Sequence, residues 1–159
     1  MRTRQRILST LVITCVATAC ATLAQAQSTG PQTAIVGSWM GTSGGGDKVL
    51  ASFTADGIAF GSVQGQISLR FPSLTTPHGA WTYLGGRQFT STSVGLLYEL
   101  QTGKYQGFIK IRVLLMVSED GDQVSGTDKV QIFDADGNLV NTFPEGAVHY
   151  TRIKVEPFN

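Results

Sequence analysis

The chain has 159 residues, with 12 Lys+Arg against 11 Asp+Glu, a formal charge of +1 and only 14% charged side chains. That length suits one domain, and so weak a charge excludes an electrostatic grip on nucleic acid or on an anionic membrane surface. Nineteen glycines among many Thr, Ser and Val residues favour strands and turns over helices.

In chain order, Arg2, Arg4 and Arg6 precede an apolar run from Ile7 to Ala19, and Ala24-Gln25-Ala26 follows. A basic start, an apolar centre of this length and an Ala-x-Ala site predict a signal peptide over 1–26, hence export to the periplasm or the extracellular space. Cleavage after Ala26 removes both cysteines, Cys15 and Cys20, so the exported domain is expected to fold without a disulfide. It also removes three arginines, leaving nine cationic side chains against eleven acidic ones. The alternative processing, with Cys20 lipidated after Ala17-Thr18-Ala19, would leave a lipid anchor. Otherwise no membrane association is expected after cleavage.

Residues 27–32 read as a flexible lead and 33–159 as a single domain. The first strand is expected over Thr33 to Thr42, followed by Gly44-Gly45-Gly46. Lys48 to Thr54 and Ile58 to Val63 flank Ala55-Asp56-Gly57, a three-residue hairpin connection with glycine at the positive-φ site. Gln66 to Phe71 can extend the sheet until Pro72 and Pro77 stop it, which makes Phe71 to Gly79 the longest loop. Ala80 to Leu84 resumes as a strand. Gly85-Gly86 then turns the chain into Arg87 to Gln101, where the apolar alternation lapses around Gly95 as though at a bulge.

Tyr105 to Phe133 carries the strongest signal. Two long alternating runs meet at Asp120-Gly121, a pair suited to a two-residue type I′ turn. That turn opposes Val117 to Val124, Leu115 to Gly126, Val113 to Asp128, Ile111 to Val130 and Ile109 to Ile132 on one apolar face. The other face pairs Met116 with Ser125, Leu114 with Thr127, Arg112 with Lys129, Lys110 with Gln131 and Phe108 with Phe133. A one-residue slip would bury Lys110, Arg112 and Lys129, so the pattern itself determines the register. Asp134-Ala135-Asp136-Gly137-Asn138 then makes a wider turn, Leu139 to Phe143 a strand, and Ala147 to Val155 the last strand. No segment offers ten residues at helical period with caps. The expectation is an all-β, antiparallel up-and-down β-barrel of eight to ten strands, which leaves no exposed edge. A β-sandwich is the alternative arrangement.

With that strand order, Gly37-Ser38-Trp39 on the first strand and Arg152 on the last resemble the lipocalins and the wider calycin group. In that group a Gly-x-Trp lies at the barrel floor and a basic residue from the final strand covers the indole. The resemblance implies a lipocalin-like barrel in which Gly37, Trp39 and Arg152 are structural. The chain is also similar to small secreted bacterial proteins of unassigned function, through Thr54-Ala55-Asp56-Gly57, His78-Gly79-Ala80-Trp81 and Asp134-Ala135-Asp136-Gly137-Asn138. That likeness implies a fold and no activity.

Candidate site residues follow from the register. Leu96, Tyr98, Ile109, Ile111, Val113, Leu115, Asp128 and Val130 are expected to line the interior, and Trp81, Tyr83 and Phe108 either line a pocket or fill the core. Asp128 stands alone among apolar neighbours, where a carboxylate is costly unless paired. A polar partner such as Tyr98, a wet cavity or an outward rotation would each account for it. Asp128, Tyr98 and His78 are the candidates for acid/base chemistry, His78 because it precedes a strand near a barrel mouth. His149 sits beside Tyr150 on the last strand, and one of the two must point inward. Asp134 and Asp136 lack the later glutamate of a calcium loop and read as a turn. No spacing of His and Cys suggests a metal site, and no cofactor motif is present.

Three functions fit. The first is an exported barrel binding a small apolar ligand inside, without catalysis. The second is a barrel-type cyclase or isomerase acting on a hydrophobic substrate through Asp128 or Tyr98. The third is an inhibitor or assembly partner, or an oligomer, using the outer face of Phe108, Leu114, Met116 and Phe133.

Overall fold

The computed structural model of the protein describes residues 30–64 and 73–158. The signal peptide expected over 1–26, with Cys15 and Cys20, and the strand expected over Gln66 to Phe71 lie outside the described residues. Ten strands form: β1 (Gly37–Thr42), β2 (Lys48–Phe53), β3 (Ile58–Val63), β4 (Ser73–Leu74), β5 (His78–Gly85), β6 (Gln88–Tyr98), β7 (Tyr105–Val117), β8 (Gln123–Asp134), β9 (Leu139–Thr142) and β10 (Gly146–Arg152).

Eight of them close into an antiparallel barrel in the order β1-β2-β3-β5-β6-β7-β8-β10, with β10 returning to β1 through Trp39↔Arg152 and Gly41↔Tyr150. A sandwich is thereby excluded. The three longest strands outrun the ring. β8 pairs with β10 over its first half (Val124↔Tyr150 to Asp128↔Gly146) and with β9 over its second (Gln131↔Thr142). β6 likewise pairs first with β5 and then, at Leu97 and Tyr98, with β4. A five-stranded blade, β4-β6-β7-β8-β9, therefore rises from one side of the barrel mouth.

The β7–β8 register is the one the alternation dictates, from Val117↔Val124 through Val113↔Asp128 to Phe108↔Phe133. The turn itself differs from expectation. Ser118 N–H bonds Gln123 O at 2.9 Å and Gly121 N–H bonds Ser118 O at 3.1 Å, so a four-residue loop, Glu119 to Asp122, lies between the bonded pair Ser118 and Gln123. Only Gly121 has positive φ (76°), and Asp120 instead uses its carboxylate to accept from Ser118 Oγ and Asp122 N–H. A four-residue loop and a two-residue turn centred on the same pair impose the same register, which is why the pairing came out unchanged.

Two expected features are corrected. Thr33 to Val36 is not strand: Pro31–Thr33 is a short 3-10 turn, and Ile35 drops beneath the barrel, fully buried. No bulge occurs at Gly95, whose pairing with Ile109 is continuous, and the irregularity lies between Leu97 and Tyr98. Without a bulge Phe89, Ser91, Gly95 and Leu97 share one parity and face inward, which puts Leu96 outward, 40% exposed against 3% for Leu97. Gly95 is there because the segment after β4 crosses it: a Cβ would lie 2.7 Å from Leu74 Cδ1 and 3.3 Å from Pro77 Cγ.

The lower half of the barrel is solid. Trp39, Phe53, Phe89, Leu115, Val117, Val124, Val148 and Tyr150 interlock, with Trp81 and Tyr83 packed against Phe89 at ring separations of 5.7 and 5.4 Å. Closing a ring this tightly needs strands that kink, and glycine permits the kink. A Cβ on Gly41 would lie 1.9 Å from His149 O of the neighbouring strand and 2.7 Å from Tyr150 Cα, both backbone atoms with no freedom to yield. Gly41→Ala is therefore expected to cost on the order of 2 kcal/mol or more in urea denaturation, at the upper end of overpacking penalties. Gly45→Ala, whose Cβ meets nothing closer than 3.6 Å at ordinary φ, should be neutral within about 0.5 kcal/mol.

Candidate functional site

At the floor, Trp39 is fully buried and its indole N–H donates to Ile35 O at 2.8 Å. The Arg152 guanidinium lies 4.1 Å above the ring centroid. Its Nη1 donates to Val36 O (2.7 Å), its Nη2 to Ala34 O (2.5 Å) and its Nε to Gly121 O (2.7 Å). One side chain from β10 thus ties the entering chain, the β7–β8 turn and the first strand together. Burial lowers the Arg152 pKa and the nearby Asp122 opposes that shift. Gly37 has φ 130°, and a Cβ there would touch Arg152 Nη1 at 2.7 Å, so the glycine makes room for the cation. Gly37, Trp39 and Arg152 therefore act together as a clamp on the floor.

Outside the floor, the β5–β6 turn, the β7–β8 turn and residues 31–36 enclose an open groove of about 1160 Å³. Leu84 and Met116 lie exposed along it, and Arg87 and Glu119 pair across it at 3.1 Å. It is separated from the barrel interior by Trp39, Ile35 and the clamp.

Above the solid half, the inward side of β7 and β8 opens by degrees. Leu115, Val117 and Val124 are at most 2% exposed, whereas Val113, Ile111, Val130 and Ile132 are half-buried. Ile109, further up the blade, is covered again at 6%. These residues make up a half-open apolar face of the blade above the packed core, the cup. Of the eight interior residues expected from sequence, Ile109, Ile111, Val113, Leu115, Asp128 and Val130 face inward, with Leu115 locked in the packed core. Leu96 and Tyr98 do not belong to the set. Tyr98, on the opposite parity to Leu97, sets its ring 5.9 Å from Tyr105.

Asp128 does face inward and is 7% exposed. Its partner is not Tyr98. Its Oδ2 accepts the Gly44 N–H at 2.9 Å, from the β1–β2 loop folded over the rim. That loop comes so close that a Cβ on Gly44 would lie 2.3 Å from Asp128 Oδ1 and 2.5 Å from Gly146 Cα, so no other residue fits there. The sequence signal was present in Gly44-Gly45-Gly46, but only the closed ring brings that run over β8. Tyr150, paired with Val124 and Gly41, is the inward member of His149-Tyr150. Burial raises its phenol pKa strongly, and the charge of Asp128 adds to the rise.

The remaining candidates fall outside the cup. His78 is exposed on the outer wall, its ring 6.2 Å from Phe60, and His149 is exposed on β10. At the β8–β9 turn, Asp134 Oδ1 accepts from Asp136 N–H (3.0 Å) and Asn138 N–H (2.8 Å), and Oδ2 from Asn138 Nδ2 (3.0 Å). Those bonds hold its pKa below the usual carboxylate value and make it a turn brace. Among the described residues no cluster of His, Cys, Asp and Glu could hold a metal. On the outer face, Phe108 and Phe133 stack at 4.6 Å with Lys110 5.0 Å above Phe133, while Leu114 (48%) and Met116 (46%) stay exposed.

Arg152→Met keeps the apolar stem but strands three carbonyls, and charge-assisted bonds of this kind contribute about 1.5–3 kcal/mol each when broken. A loss of about 3 kcal/mol or more is expected by thermal or urea unfolding. For Tyr150 the folded pKa lies above the unfolded value, so its contribution is complete below about pH 10 and is lost as pH rises beyond it. The wild-type unfolding free energy should fall from pH 10 to 11.5, and Tyr150→Phe should flatten that limb. No protein-family model, curated protein or solved structure matches this chain.

Proposed function

We propose that this chain is an exported, lipocalin-like binding barrel that holds one small apolar molecule in the upper cup and carries out no catalysis. The observation that carries this reading is the burial gradient along β7 and β8, from fully packed Leu115, Val117 and Val124 to half-buried Val113, Ile111 and Val130. Inward apolar side chains left partly open to solvent are the lining expected of a pocket for an apolar body. Eight strands is also the barrel size at which an interior can be filled or can hold one small ligand, and here the lower half is the filled part.

Calycin kinship is supported by the joint placement of Gly37, Trp39 and Arg152. Export is supported by the basic, apolar and Ala-x-Ala succession over 1–26. A catalytic reading through Asp128 or Tyr98 loses Tyr98, which lies on the outward parity of β6, and keeps Asp128, which already accepts the Gly44 N–H. His78, on the outer wall, offers no substitute.

Nile red, a neutral apolar dye, should bind the purified domain with enhanced fluorescence. Ile111→Trp, which fills the cup from a position with room for it, should weaken that binding at least tenfold at unchanged melting temperature. Leu84→Arg, in the groove beneath the floor, should leave it intact. Loss of binding in Leu84→Arg with retention in Ile111→Trp would move the site to the groove, and no dye binding at all would remove the reading.

A further inference from the structure

Asp128 and Ser91 are the buried polar side chains among the described residues, and Asp128 alone of the two carries a charge. Its surroundings leave that charge incompletely matched. Oδ2 receives one backbone N–H, from Gly44. No cation reaches the carboxylate: among the described residues Arg87 pairs with Glu119, Lys154 with Asp122, and Lys129 with Glu145 at 3.6 Å on the opposite face of β8. Oδ1 takes no hydrogen bond from the described protein, yet no buried side-chain oxygen or nitrogen is sealed off without a partner. Oδ1 therefore keeps access to solvent at the rim, where it lies beside Gly44 of the β1–β2 loop. The apolar lining begins beside it, since Val113 lies directly across from Asp128 in the register and Val130 is the next inward residue along β8.

A buried carboxylate is ordinarily balanced by a cation or by several donors, and a single N–H falls short of that. The Tyr150 hydroxyl, also inside the barrel and within electrostatic reach of Asp128, makes no hydrogen bond of its own among the described residues. An unspent acceptor and a hydroxyl thus sit at one end of an apolar lining. Such a site matches an amphiphile whose head donates and whose tail is hydrocarbon.

We propose, resting on the cup reading above, that the ligand is a cationic amphiphile: a small primary amine whose ammonium donates to Asp128 Oδ1 while its apolar body lies along Val113, Ile111 and Val130. The preference is a matter of sign as well as shape. A fatty carboxylate of equal length would bring a second negative charge to Asp128 and is disfavoured, and a neutral alcohol falls between the two.

Calorimetric titration of the purified domain with decylamine, decanol and decanoate at pH 7, each below its micellar concentration, tests the preference directly. Decylamine should bind at least tenfold more tightly than decanoate, with decanol intermediate. Asp128→Asn keeps an oxygen for the Gly44 N–H and should bring the three within about threefold of one another, with Nile red still bound. Should that variant fail to fold, Val113→Lys, which places an internal ammonium opposite Asp128, should erase the same preference. Equal binding of all three compounds to the wild type overturns the head-group inference and leaves the cup standing. Decylamine preference that survives both variants overturns it equally. No binding of Nile red or of any of the three compounds overturns the cup and the head group together.

Discussion

The Arg152 guanidinium is the constraint on which the rest of the barrel depends. A cation over an indole contributes about 0.5–2 kcal/mol by itself. Its three carbonyl bonds do more, because they join two distant stretches of chain: the entering segment at Ala34 and Val36, and the β7–β8 turn at Gly121. The floor is thereby sealed by side-chain and backbone contacts around one cation. Ile35 and Trp39 can be fully buried only because the backbone that delivers them has its carbonyls satisfied by this one side chain. The shape of the upper half follows, since a sealed floor sends any opening to the opposite end.

That division also explains the placement of polarity. The lower half holds aromatic and branched side chains, while the one buried carboxylate among the described residues sits where the packed layer gives way to half-open apolar residues. Asp128 has a structural duty there in holding the β1–β2 loop over the rim through Gly44. A serine or asparagine could accept the same N–H at lower desolvation cost. The surplus charge is the part of the interior that loop anchoring does not account for.

Much of the fold was legible in the sequence, and the failures share a cause. The β7–β8 register followed from alternation, because a slip would have buried Lys110, Arg112 and Lys129. Trp39 and Arg152 could be paired from their positions on the first and last strands of a closed sheet. Leu96 and Tyr98 were misplaced because alternation reads parity along a strand but not where the parity resets. Gly95 looks like a bulge in one dimension, whereas in three it is a site crossed by Leu74 and Pro77. Thr33 to Val36 reads as strand because Ile35 and Val36 are β-branched, and only the clamp bends it beneath the floor. The Gly44 contact to Asp128 spans 84 residues, which no local pattern can report.

The pairing of β1 with β10 has a consequence for how the molecule is made. Every other junction in the ring joins strands adjacent or next but one along the chain, and five of those seven are hairpins. The closing seam joins Trp39 to Arg152, almost the full length of the domain apart. The entropic cost of that loop cannot be recovered until the last strand is in hand, so closure of the seam is expected to be the late step in folding. Until then the edges of β1 and β8 are bare and the indole of Trp39 lacks its cover. A chain truncated before residue 152 would thus be left as an open, adhesive sheet.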